Sequence, residues 1–193
     1  MDVISIIKLV HILSFFFMSA PFYSLIVVNE RAKVPGKDFK VDRYLENIVK
    51  GQAMRCYVFQ LTALITGVLL VHFEGMGLSS ILTNYVLLLK TVLLLALMGL
   101  LSFVHLGIQP KIESLLSQVK EGTISDEIFN ELRPWRLKRK KLAAFCLFVV
   151  LVVIILGMQV FVPYNAVANG ILLILAAFFS WHVYKHSSAF GWI

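Results

Sequence analysis

A chain of 193 residues that is 59% hydrophobic, with a mean hydropathy of +0.85, holds more apolar surface than a soluble domain of that size can hide. Its formal charge of +7 comes from basic residues gathered in two segments beside hydrophobic runs, as in membrane proteins. No nucleic-acid-binding motif accompanies that charge, which excludes nucleic acid as a partner. The expectation is an all-α integral membrane helical bundle, one transmembrane domain over residues 1–193, with membrane lipid around it.

Five segments reach the roughly 20 residues needed to cross about 30 Å of hydrocarbon. The first, 3–28, is too long and too evenly apolar for a cleaved signal and is expected to remain as a permanent span. It carries Lys8, whose stem can lift its amine to the surface, then His11, the aromatic run Phe15–Phe17 and Met18. A basic loop, 29–52, follows. The second span, 53–73, begins with Arg55 and Cys56 and holds Gln60, Thr62, Thr66 and Gly67, a small and polar strip suited to close helix contact. It ends at His72, with Glu74 just beyond.

The third span, 81–108, is predominantly apolar and carries Lys90, Ser102 and His105. In the loop 109–141, Ile112, Leu115, Leu116 and Val119 keep helical spacing, so the third helix is expected to continue past the membrane. A short amphipathic helix over 124–132 comes next. The basic run 133–141 beside Trp135 then suits an anionic headgroup layer. Pro163 and Asn165 part the fourth span, 142–162, from the fifth, 166–184, which carries His182. His186 follows one turn later. Cys56 and Cys146 have no metal-type spacing and read as small packing residues.

The loops 29–52 and 109–141 carry six and eight Lys or Arg, whereas 74–80 and 163–165 carry none. By the positive-inside rule the N-terminus lies outside, the C-terminus inside, and both long loops are cytoplasmic. The compartment expected is a bacterial-type inner membrane.

At 1.5 Å per residue, His11 lies about 12 Å and Lys90 about 13 Å from the outer face, the same level. A lysine at that depth costs roughly 2.5–3.5 kcal/mol on insertion scales and marks a functional site by default. His72 sits near the outer surface, His105 and His182 near the inner ends of their spans. Ionisable residues therefore form an outer layer (His11, Lys90, His72) and an inner one (His105, His182, His186). Two imidazoles at one depth on facing helices are what a b-type haem requires, so the layers allow one haem, or two with His105 and His182 ligating the second. Interfacial histidines bonded to headgroups or backbone explain His72, His105 and His182 equally well. No phosphate loop, zinc spacing, catalytic serine motif or dinucleotide fingerprint is present.

The segment Lys8-Leu-Val-His11-Ile with Phe22-Tyr23 further along, and Lys90 in the third span, resembles the membrane-embedded protoporphyrinogen IX oxidase family. The related copper-resistance D-type proteins share the multi-histidine helical layout. The resemblance covers parts of the first and third spans. It implies that His11 ligates haem b iron and that Lys90 serves the same site, as a catalytic and cofactor-binding residue. It further implies an oxidoreductase taking electrons from a porphyrin substrate to quinone. The chain departs from the family in its long basic third loop, its fifth helix, and the run Ser24-Leu-Ile-Val-Val-Asn29 after Phe22-Tyr23.

Two classes of function remain open on sequence. One is a haem-binding redox protein acting alone or within a larger respiratory complex, with other membrane subunits or copies of itself as partners. The other is a non-catalytic accessory or assembly subunit, or a transport protein for copper or another small solute. Met18, Met54, Met76, Met98 and Met158 scatter without a repeated motif, which weakens the copper route.

Overall fold

The computed structural model describes residues 2–33, 39–119, 122, 124–161 and 165–186. Among them every regular element is a helix. Helix α1 (Val3–Val28) starts where the Asp2 carboxylate accepts a hydrogen bond from the Ser5 backbone N–H at 3.0 Å, filling one of the unsatisfied donors of a helix start. A 3-10 turn, Asn29–Lys33, closes it. Then come α2 (Phe39–Phe73), the single turn α3 (Ser80–Thr83) and α4 (Tyr85–Phe103). A π turn, Val104–Ile108, runs straight into α5 (Gln109–Ser117), and the chain ends in α6 (Asp126–Phe161) and α7 (Ala166–His186).

Among the described residues five helices are long and apolar enough to cross a membrane: α1, α2, the continuous α4–α5 rod, α6 and α7. Helix α6 is the hub, packing on α1, α4, α5 and α7, while α1 lies along α2. Met18, Ile26, Leu97 and Val150 are fully enclosed at this centre. Phe16, Ile65, Val92 and Ile174 point outward, as side chains do when lipid is the solvent.

Three elements differ from the sequence reading. The third span is broken at its start: Asn84 caps α4, its side chain accepting from the Val86 and Leu87 N–H groups. The third helix continues past the membrane as α5, as expected, but the segments 29–52 and 109–141, otherwise expected as loops with one short helix, are largely helical, because α2 begins at Phe39 and α6 at Asp126. Pro134 sits inside α6 and is exposed there, so the carbonyl it leaves unpaired faces solvent or headgroups.

The reason for both extensions is a buried ionic network. Arg139 donates through Nη1 and Nη2 to the two oxygens of Glu46 at 2.8 and 2.9 Å. It also reaches Gln109 Oε1 at 2.6 Å and Asn29 Oδ1 at 2.8 Å. Arg136 binds Asp42, and Arg31 binds Glu46 and, at 3.4 Å, Asp42. Lys140 pairs with Glu30 and donates to the Tyr184 carbonyl at 2.5 Å. Arg136, Arg139 and Lys140 are at most 1% exposed. They are therefore not a solvated basic face. A second apolar cluster of Ile108, Ile112, Leu116, Ile124 and Leu132 covers the network. Together they join the ends of α1, α2, α5 and α6 at what is here termed the basic end.

Candidate intramembrane site

At the opposite end of the bundle, His11 and Lys90 line one cavity of about 100 Å³ with Phe15, Gly67, Glu74 and Thr91. Residues 79 positions apart in sequence are thus brought to a common space by α1 packing on α2 and by α4 packing on α6.

Helix α2 fixes the imidazole. Thr66 donates its one hydroxyl proton to the Thr62 carbonyl at 2.6 Å, so its oxygen is left to accept from His11 Nδ1–H at 2.9 Å. The neutral ring then keeps its lone pair on Nε2. Phe15 meets the ring edge-on at 5.2 Å between centroids. An imidazole held through one nitrogen, with the other free, is the arrangement seen in metal-ligating and general-base histidines.

Glycines make the room. A Cβ on Gly67 would stand 3.2 Å from His11 Cε1, and one on Gly157 of α6 would stand 3.3 Å from Lys90 Nζ. Gly99 and Gly170 have nothing within 4 Å. Alanine in place of a helical glycine ordinarily stabilises by roughly 1 kcal/mol, and that is the outcome expected for Gly99→Ala. In Gly67→Ala the crowding, about 1–3 kcal/mol for an overpacked site, opposes the gain and pushes the ring off Thr66. Unfolding midpoints for the two variants, with the His11 Nδ1–H proton resonance as reporter, check this. Equal midpoint shifts with an unmoved resonance would show that the contact is slack.

Lys90 Nζ makes no hydrogen bond or ion pair with any of the described residues. Lys8, by contrast, pairs with Glu74 at 2.6 Å across the cavity mouth, tying α1 to the end of α2. Val68 and Met76 are exposed on the rim.

The other candidate residues are elsewhere. His72 is exposed, edge-on to Phe73 at 5.5 Å, and does not line the cavity. His105 lies in the π turn and lines a separate space of about 30 Å³ with Phe22, Cys56 and Gln109. Its ring faces Tyr57 edge-on at 6.3 Å. His182 stacks on Phe178 at 6.0 Å on α7, which packs on α6 and α1. The side chain of His186 lies outside the described residues. Cys56 and Cys146 are buried and unbridged in the core.

These residues suit one imidazole ligand and one partner for an acidic arm. They do not supply the second imidazole of a bis-histidine haem, and no group of three or more His, Cys, Asp or Glu suited to a metal occurs among the described residues. The space, about 100 Å³, is also below the roughly 300–1,000 Å³ of an enclosing ligand pocket. The role of Gly157 was not legible in sequence, since it depends on which helices meet. Comparison with protein-family models, curated proteins and solved structures gives no match.

Proposed function

We propose that this chain is an integral membrane redox protein that takes a flat, apolar, carboxylate-bearing ligand of the porphyrin class at the His11–Lys90 cavity. The observation that carries the reading is an ammonium, without a partner among the described residues, sharing an intramembrane cavity with an oriented imidazole. An ammonium in apolar surroundings calls for an anion, and a carboxylate is its natural partner. His11 Nε2 then faces the ring system as proton acceptor or as the single protein ligand to a haem b iron. The sequence resemblance supports the same pair, with electrons leaving to the quinone pool or a larger respiratory complex, in a bacterial-type inner membrane with the His11 end outside. Bound haem would supply the one-electron chemistry. His11 and Lys90 would hold and orient it.

A second reading, a non-catalytic accessory or assembly subunit, draws on the His11–Thr66 bond and the Lys8–Glu74 pair, which also fasten α1 to α2. Reduced-minus-oxidised absorption of the detergent-purified protein supplied with haem separates the two. The redox reading expects a b-type band that disappears in His11→Ala and persists in His72→Ala, His105→Ala and His182→Ala. A folded preparation without any such band would overturn the cofactor role of His11 and leave the porphyrin as substrate only.

A further inference from the structure

The groove between the α4–α5 rod and α6 at the basic end has a composition that no role above uses. On α6, Trp135, Lys138 and Phe145 follow one another at helical spacing. Lys138 and Phe145 are exposed. On the neighbouring rod, Phe103 and Leu106 are 49% and 72% exposed, and Lys111 lies beyond them past the π turn. Lys138 Nζ sits 5.3 Å from the Phe103 ring centroid and 5.8 Å from that of Trp135. Lys111 Nζ stands 4.3 Å over the other side of the site, on the Trp135 ring. A cavity of about 600 Å³ opens beside them, lined by Lys111, Ser114, Glu131, Pro134 and Trp135.

On α6 the outward surface thus changes from apolar to basic between Phe145 and Lys138, and on the rod between Leu106 and Lys111, with the Trp135 ring in contact with both ammoniums. Phe103, Leu106 and Phe145 offer a track for an acyl chain, and Trp135 is the residue type that settles at the hydrocarbon boundary. The two ammoniums stand where a headgroup phosphate would lie. The cavity itself is lined by one basic and one acidic side chain, Lys111 and Glu131, and Lys138, on the same Trp135 ring, adds a positive charge, which suits a phosphodiester whose remaining headgroup is uncharged.

We propose that this groove is a binding site for an acidic phospholipid of the phosphatidylglycerol class. The proposal is independent of the His11–Lys90 site. Native mass spectrometry of the full chain in detergent, titrated with phosphatidylglycerol or phosphatidylcholine of identical acyl chains, tests it. The acidic lipid is expected to bind more tightly, and Lys111→Gln and Lys138→Gln to weaken it about fivefold each, the equivalent of about 1 kcal/mol per basic residue at a membrane surface. The charge-keeping Lys111→Arg, Lys138→Arg double variant is expected to bind as the parent does, which separates loss of charge from loss of fold. Equal affinity for the two lipids would overturn the proposal. So would an unchanged lipid preference in the double glutamine variant. Displacement of the lipid by millimolar inorganic phosphate would also overturn it, by showing a free-anion site.

Discussion

Replacing Arg139 with alanine is expected to destabilise the protein by about 3–5 kcal/mol, the cost of breaking a buried ion pair by removing one partner. Arg139 is fully enclosed and bonds side chains of three other elements: Asn29 after α1, Glu46 on α2 and Gln109 at the start of α5. Its loss leaves the Glu46 carboxylate and the Asn29 and Gln109 oxygens short of donors in a place water does not reach. Chemical unfolding in mixed micelles gives the measurement, with Lys141→Ala, exposed on the same helix, expected within about 0.5 kcal/mol of the parent. Indistinguishable midpoints for the two variants would mean that the network holds nothing together.

Lys90→Met is expected to do the reverse. An ammonium inside the hydrocarbon costs roughly 2.5–3.5 kcal/mol at a helix centre, and Lys90 has no protein partner among the described residues to offset it. Methionine has similar length and fits beside Gly157 without the charge. The ligand-free protein should therefore gain stability, by up to about 3 kcal/mol on that scale, while recognition of an acidic ligand is lost. Residues kept against stability in this way are typical of working sites. A fall in the unfolding midpoint would instead make Lys90 a structural residue. The opposite signs expected at Arg139 and Lys90 distinguish a cation that the fold satisfies from one left for a ligand.

Sequence alone made the spans and the His11–Lys90 level legible, because hydropathy sets length and the helical rise sets depth. It did not reveal the ionic network. Arg136, Arg139 and Lys140 belong to a basic run, and such runs are usually solvated. A signal was nevertheless present. Leu132, Arg136, Arg139, Ala143, Leu147 and Val150 keep helical spacing and form one buried stripe through α6, so the charged residues continue the apolar seam. Asp42, Glu46 and Val49 do the same on α2. A basic run read with the period of the span that follows it would have shown these arginines facing inward.

Depth placed His105 and His182 together; they lie on the π turn and on α7, His105 edge-on to Tyr57 and His182 stacked on Phe178. Depth fixes one coordinate of three, and the rotation of each helix fixes which way a ring points. For His11 the rotation was foreshadowed by Thr66 and Gly67, the polar and small residues of α2 that receive it.

Lys90 and His11 are proposed to receive a carboxylate-bearing flat ligand together. The most direct measurement is the affinity of the purified protein for metal-free protoporphyrin IX against that of its dimethyl ester, in the parent and in Lys90→Met. A charge pair in a desolvated site is worth about 2 kcal/mol or more, roughly 30-fold in affinity. The account predicts that the parent prefers the acid by about that factor and that Lys90→Met binds acid and ester alike. Equal binding of acid and ester by the parent, or a preference that survives in Lys90→Met, would contradict it.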